Sequence, residues 1–411
     1  MFVFLDNCRT TKLDEKVLDD MKIYFFEKFQ RPDGIYLSAQ EVHEEVSQAQ
    51  EYFAKTINAQ PEEIVFTSGA TEANNMAIFG VARRLKEKGN HIIVSAIEHG
   101  SVMSIAKRLQ KEGFEVDFLP VDSEGIIKLD ELEKLIKPTT ILVSVISVAH
   151  FVGSLEPLKE ISEILKKSNH KIYFHTDAAE RYAKLPIDVE DFGIDLMSVS
   201  GHKFHGPKGI GFLYVRKNTP FEPLIFGASS FDKRRPGGEN VPGIMGMRKA
   251  AEIAFDKMEE NIKKFTGLRD YMINRIEKEI PDVTLNGARG EKRTPYNVNF
   301  SFKYIEGEAI SLALSMEGVE VATGSACASE NLQPNYAILA IGGDHARAHG
   351  SIRFTFGFNN TKEEIDYTVD KLKEVVERLR SMSPIKSDDD LEKYMGSGEE
   401  LHKHEEVDSN A

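Results

Sequence analysis

Only two cysteines, Cys8 and Cys327, occur in 411 residues. Thiols so few and so far apart argue against a disulfide scaffold and against a structural zinc site built on thiolates, and they fit a reducing cytosol. No apolar run reaches the roughly 18 to 20 residues that span a bilayer, so no membrane segment is expected. The opening MFVFLDNCRTT has neither a basic n-region nor a long apolar h-region. That reads as no signal peptide and a cytoplasmic location. Positive charge is also scarce: a net charge of −14 speaks against broad electrostatic binding of nucleic acid or anionic lipid. Local basic pockets for small anions remain open. The chain has no internal repeat.

What is present is an ordinary globular balance, 41% apolar and 29% charged, long enough for two domains or for one with an appendage. Ser38 to Ile57 reads as a helix, with Ser38 and Glu41 in a capping-box pattern and Val42, Val46, Ala49 and Phe53 on one stripe. From Glu63 the pattern turns to short β-rich runs alternating with amphipathic helices: EIVFTSG, HIIVSA, FEVDFLPV, TTILVSVISV, KIYFHTDA, IDLMSVS and GFLYVR. Several are apolar throughout, as strands covered on both faces are. The alternation predicts an α/β fold with a mainly parallel sheet. A long helical pattern begins near Ala251 and runs through IEKEI, and a second, smaller set of elements follows, with Thr361 and Glu364 as the last helix's capping box. The expected division is a large α/β domain at 15–255, a smaller α+β domain from 1–14 and 256–384, and an acidic, disordered tail at 385–411.

In open α/β sheets ligands bind outside the carboxyl ends of the strands, and four strand ends carry polar residues that a bare loop would not need. TSGATEANN turns from strand to helix; Gly69 permits close backbone approach, and free N–H groups beginning at Ala70, with the Thr71 hydroxyl, suit a phosphate. The same residues also serve as simple helix caps. In SAIEHGS, His99 is either a satisfied core histidine or a ring that stacks on a planar ligand. In YFHTDAAE, Asp177 needs a positive partner, which a protonated ring nitrogen or an arginine supplies equally well. In SVSGHKFHGPKG, Lys203 is either a solvated loop lysine or a desolvated amine of lowered pKa able to form a Schiff base. A P-loop fails because Gly206-Pro207-Lys208 lacks the Gly-Lys-Ser/Thr run. His202 and His205 have no evident third metal ligand, so no metal is expected. Pyridoxal 5′-phosphate accounts for all four ends together, since it needs a lysine, an acid for its pyridine nitrogen and a phosphate cradle.

From FLDNCRTT to ERLRSMSP the chain resembles cysteine desulfurases of the NifS/IscS type, within the fold-type I pyridoxal-phosphate enzymes. FTSGATEANN, SAIEH, HTDA, SGHKFHGPKGIG, RPGGENV, GSACAS and GSIRFTFG carry the likeness. The resemblance implies that Lys203 holds the cofactor and shuttles a proton, Asp177 keeps its ring nitrogen protonated, and His99 stacks on the ring. Thr71, Ser200 and His202 would bind phosphate, Arg353 the substrate carboxylate, and Cys327 would take the sulfur of L-cysteine as a persulfide, leaving alanine. A homodimer and an iron–sulfur scaffold or other sulfur-acceptor protein are implied as partners.

Several positions depart from that pattern. Ala149-His150-Phe151-Val152-Gly153 replaces Asn-Asn-Glu-x-Gly, and Glu180 replaces a glutamine; both altered side chains normally meet the cofactor's ring oxygen. His150 and Glu180 are therefore expected to form a hydrogen-bonded pair there, or else the branch has drifted and binds cofactor or substrate less well. Gly238 stands where a threonine often reaches across the dimer. Cys8 and Arg9 stand where small residues line the substrate pocket, Cys8 as a filler or as a second sulfur relay. The alternatives carried forward are a selenocysteine lyase or other β-eliminating enzyme, and a degenerate scaffold that binds a sulfur acceptor without turnover.

Overall fold

The computed structural model describes residues 1–228, 231–324 and 334–390. Cys327 and the tail from residue 391 lie outside the described residues.

Seven short runs build one sheet because most of their side chains are apolar and, β4 apart, nearly all are buried on both faces under covering helices. They are β2 (Ile64–Thr67), β3 (His91–Ser95), β4 (Glu115–Leu119), β5 (Thr140–Ser144), β6 (Tyr173–Asp177), β7 (Leu196–Ser200) and β8 (Gly211–Val215), following the short β1 (Val3–Phe4). Their spatial order is β2-β8-β7-β6-β5-β3-β4. β8 runs antiparallel to both neighbours and every other pairing is parallel. Each is one of the seven runs expected from the sequence. Only β4, at an edge, alternates between buried and exposed positions. Lys137 ties Glu115 and Asp117 of that edge at 2.7 and 2.6 Å, and exposed charge discourages further strand pairing.

Because β8 alone is reversed, the carboxyl ends of β2, β3, β5, β6 and β7 emerge on one side. The covering helices are α1 (Glu15–Phe26), α2 (Leu37–Thr56), α3 (Ala70–Leu85), α4 (Gly100–Lys111), α5 (Leu129–Leu135), α6 (Leu158–Lys166) and α7 (Val241–Asp256). The expected stripe of α2 is fully buried, Val42, Val46, Ala49 and Phe53 all being inaccessible. Its expected capping box does not form. The helix opens at Tyr36, whose extended backbone starts the first turn ahead of Ser38, with no side-chain cap.

The long helical pattern read from Ala251 is two helices. α7 starts at Val241, capped by the Asn240 side chain, and α8 (Met258–Glu279) follows after a break at Lys257. Beyond them lie β9 (Val283–Leu285), β10 (Asn297–Phe302), α9 (Gly307–Met316), β11 (Val319–Glu320), β12 (Ala322–Thr323), α10 (Tyr336–Ala340), α11 (His345–His349), β13 (Ser351–Thr355) and α12 (Lys362–Met382). An antiparallel sheet of order β12-β13-β10-β9 packs against α8 and α9, and α12 lies against those two helices. The capping box of Thr361 and Glu364 opens α12 as expected. β1 pairs with β11, so the amino-terminal segment packs its Val3 and Leu5 into the second apolar core. The first described residues of the acidic tail are ordered by contact: Asp388 accepts from Lys303 and Tyr304 at 3.0 and 3.2 Å.

Candidate active site

The strand ends open into a cavity of about 690 Å³ lined by residues of both sheets and of the amino-terminal segment. All ten residues expected to hold a cofactor, Gly69, Ala70, Thr71, His99, His150, Asp177, Glu180, Ser200, His202 and Lys203, fall in or directly against this region, and Arg353 joins them. Among the described residues no cluster of metal-ligating side chains occurs.

The cradle forms where β2 turns into α3. Gly69 caps the helix at φ +148°, a conformation that disfavours side chains, and a Cβ there would lie 3.2 Å from the Ser200 hydroxyl. The first backbone bond of the helix is donated by Ala73 to Gly69, which leaves the N–H groups of Ala70, Thr71 and Glu72 facing the cavity mouth. Arg235 approaches the same turn through Glu72 at 3.0 Å. These donors, a helix N-terminus and a basic approach suit a phosphate.

Asp177 ends β6, 3% exposed; Asn74 donates to one of its oxygens at 2.8 Å and the Ala179 N–H to the other at 2.9 Å. No arginine or lysine pairs with it among the described residues, so a cationic ring nitrogen is the partner this carboxylate lacks. Asn74 escaped the sequence reading, although its place one turn into the helix after Gly69 was a usable signal. His99 follows β3 as the cap of α4, its Nδ1 accepting from the Ser101 N–H at 3.2 Å, and its ring faces the cavity. The His150 ring meets it edge-on, with centroids 5.3 Å apart.

Lys203 follows β7 in a short helical turn. Its amine donates to the Cys8 carbonyl and, at 2.9 Å, to Glu180. Burial pulls the amine down, but the charge and hydrogen bond of Glu180 outweigh it, and the net direction is up. The lowered pKa expected from desolvation alone is therefore corrected. The hydrogen-bonded pair expected between His150 and Glu180 is also absent. Glu180 instead spends both oxygens on lysines, Lys203 at 2.9 Å and Lys184 at 2.8 Å. Burial alone would raise its carboxyl, yet the two lysines hold it well below the usual range. Nδ1 of His150 is buried without a hydrogen-bond partner among the described residues, and burial, with the His99 and Arg353 charges, holds that ring neutral. Lys184 was missed; its spacing of four from Glu180 was the available clue.

His202 bonds Thr10 at 3.1 Å, and burial followed by the Lys203 charge lowers it to about 4. His205 turns away: Nδ1 meets the Lys12 carbonyl at 2.8 Å, and Nε2 accepts from the Phe358 N–H at 3.1 Å. It is a structural joint.

Arg353 reaches the cavity from β13. It donates to Asp6 at 3.0 Å and to the His150 carbonyl at 3.3 Å, while its buried Nε has no hydrogen-bond partner among the described residues. Asp6, also missed by the sequence reading, is shared with Arg9 at 3.2 Å. Cys8 is buried, its thiol donating to the His150 carbonyl at 3.3 Å, and burial pushes that thiol up. A thiol held in this way packs as a filler and is poorly set to react as a thiolate. A Cβ at Gly238 would meet nothing within 4 Å.

A family model described as Aminotransferase class-V matches residues 3–368. The chain is 48% identical to "Cysteine desulfurase IscS" of Dictyoglomus turgidum over 386 residues, 94% of this chain and 97% of that protein. A solved "NIFS-like protein" superposes with a TM-score of 0.87 at 35% identity, covering 92% of this chain and all of that one. Another solved structure, "SspA in complex with cysteine", gives a TM-score of 0.76 at 31% identity, covering 87% of this chain and all of that one.

Proposed function

The chain belongs to the class-V aminotransferase family as a pyridoxal-phosphate-dependent cysteine desulfurase, and from that premise we propose that it takes sulfur from L-cysteine, leaving L-alanine, and loads it on Cys327 as a persulfide. The observation that carries this reading is that one cavity collects Lys203, Asp177, Arg353 and both Gly324 and Asn335, which flank the segment bearing Cys327.

In this reading Asp177 pairs with the cofactor's ring nitrogen, His99 covers the ring, and Gly69, Ala70, Thr71, Ser200 and His202 hold its phosphate. Lys203 is the attachment point, and its amine moves the Cα proton of the substrate. The bound cofactor supplies an electron sink that makes the carbon–sulfur bond breakable. Arg353 orients the substrate carboxylate: Asp6 occupies only one of its nitrogens, and the unpartnered Nε offers a further donor. The unit at 15–255 carries the cofactor; the unit of 1–14 and 256–384 brings Arg353 and Cys327.

A homodimer is part of the proposal. Phe25, Phe26, Phe29, Ile35, Tyr36 and Leu37, between the end of α1 and the start of α2, are 55 to 96% exposed. Apolar residues bared in such a run mark an interface surface. The sulfur acceptor is an iron–sulfur cluster scaffold or another thiol protein, and the site of action is the cytoplasm. No helix among the described residues is long and apolar enough to cross a membrane.

The test is cysteine-dependent persulfide formation in wild type, Lys203→Ala and Cys327→Ser. Wild type should form alanine and one persulfide, and both variants should form none. Equal alanine release by Cys327→Ser, particularly from selenocysteine, would instead favour a lyase.

A further inference from the structure

Glu180 is the chain's own departure at the cofactor site, and its surroundings are specific. Its side chain is 11% exposed and its two oxygens each hold one lysine amine, Lys203 at 2.9 Å and Lys184 at 2.8 Å. The Lys184 and Lys203 side chains are 4% and 15% exposed, so both ion pairs are largely buried. A glutamine in the same place could accept a hydrogen bond but would bring no charge. With all three side chains mostly buried, a full negative charge at hydrogen-bond distance is the dominant influence on whether a nitrogen keeps its proton.

We propose that Glu180 is a positioning residue that keeps a proton on the Lys203 side-chain nitrogen, its pull moderated by Lys184, which shares the same carboxylate. The proposal rests on the reading of Lys203 as the cofactor's attachment point. It adds that this chain replaces a neutral contact by a charged one, so that the linked nitrogen stays protonated to higher pH than an amide neighbour would allow. The other groups facing the pair do not reproduce this. Arg353 and Lys208 add positive charge, His150 and His202 are held neutral by burial, and Cys8 raises the Lys203 amine less than the Glu180 charge does. Glu180 is the only carboxylate that contacts Lys203 among the described residues.

The experiment is a pH titration of the visible absorbance of the full-length holoenzyme, whose band changes when the linked nitrogen loses its proton. Glu180→Gln should move the midpoint down by at least about one pH unit, the usual effect of removing an opposite charge at contact distance. Glu180→Asp, which keeps the charge, should recover part of that shift. Lys184→Met removes the competing cation and should move the midpoint up. Loss of packing alone would not drive the glutamine and methionine variants in opposite directions. An unchanged midpoint in Glu180→Gln, or shifts of the same sign in both variants, would overturn the proposal. Persulfide formation by the wild type is scored separately: normal turnover with an unmoved midpoint sinks this inference and leaves the function standing. A correctly shifted midpoint without persulfide does the reverse, and a wild type with no visible band overturns both.

Discussion

Two buried arginines, one in each functional setting, differ in how completely they are satisfied. Arg293, 1% exposed, lies beneath the antiparallel sheet and spends every nitrogen on oxygen: the Ala288 and Asn286 carbonyls, and both oxygens of Asn297 at 3.3 and 3.2 Å. Burial, followed by the Arg269 and Arg289 charges, lowers it to about 9, and no carboxylate touches it among the described residues. Arg353, 7% exposed, keeps one nitrogen unpartnered, and although burial opposes its charge, the neighbouring Cys8 and Asp6 leave it raised. A buried polar group with all bonds made is a strut, and one with a bond in reserve at a cavity wall is waiting for a ligand. The same contrast separates His175, whose two nitrogens meet Ser144 and Ser198 at 2.9 and 3.1 Å, from His150, whose Nδ1 has no hydrogen-bond partner among the described residues.

Substitutions that exchange the two roles would break this contrast. The largest effect on catalysis is expected for Arg353→Met: a fall in kcat/KM for cysteine of at least about a hundredfold, from the lost charged hydrogen bonds to the substrate carboxylate. Its unfolding free energy should change much less. Arg293→Met should do the opposite, destabilising by about 3 to 5 kcal/mol because several buried carbonyls lose their donors at once, with turnover of the folded fraction retained. Denaturant unfolding beside steady-state assays decides both, and a pair of variants with matching profiles would end the distinction.

A smaller effect concerns pH. Burial lowers His175 to about 3, so its neutral form is the folded form. Its contribution is fully present above the unfolded value near 6.5 and is lost as pH falls toward 3, at up to about 1.4 kcal/mol per pH unit. Wild type should therefore lose more stability between pH 7 and pH 5 than His175→Gln does; equal losses would show that the ring is already charged inside. The smallest effect is expected at Arg9, whose side chain is 71% exposed while paired to Asp6. Arg9→Ala should change KM by less than about threefold, as exposed ion pairs contribute little. A larger rise would make Arg9 part of the carboxylate site.

Much of the architecture was legible because it rests on local pattern. All seven strands of the large sheet announce themselves as short β-rich runs, several of them apolar throughout, and Thr361 with Glu364 marks the start of α12 through contacts within one turn. The polar residues after β2, β3, β6 and β7 were legible as a site because strand ends converge by topology. The errors lie where neighbouring groups compete for the same role. Ser38 lost the cap of α2 to the backbone of Tyr36, and the helical pattern from Ala251 hid the break at Lys257. The expected bond from His150 to Glu180 failed because Lys184, a neighbour only in the folded turn, already claims that carboxylate.

By itself the sequence determined which residues could do chemistry: a lysine, an acid, a histidine and an arginine at recognisable turns, on strands whose apolar faces demanded cover on both sides. Only the tertiary structure decided which of those groups were left with bonds to make. Donors and acceptors are fixed by residue type, but whether each is satisfied depends on what the rest of the chain brings within about 3 Å. That is why Glu180 could be read as a departure from the sequence, yet its division between Lys203 and Lys184 could not.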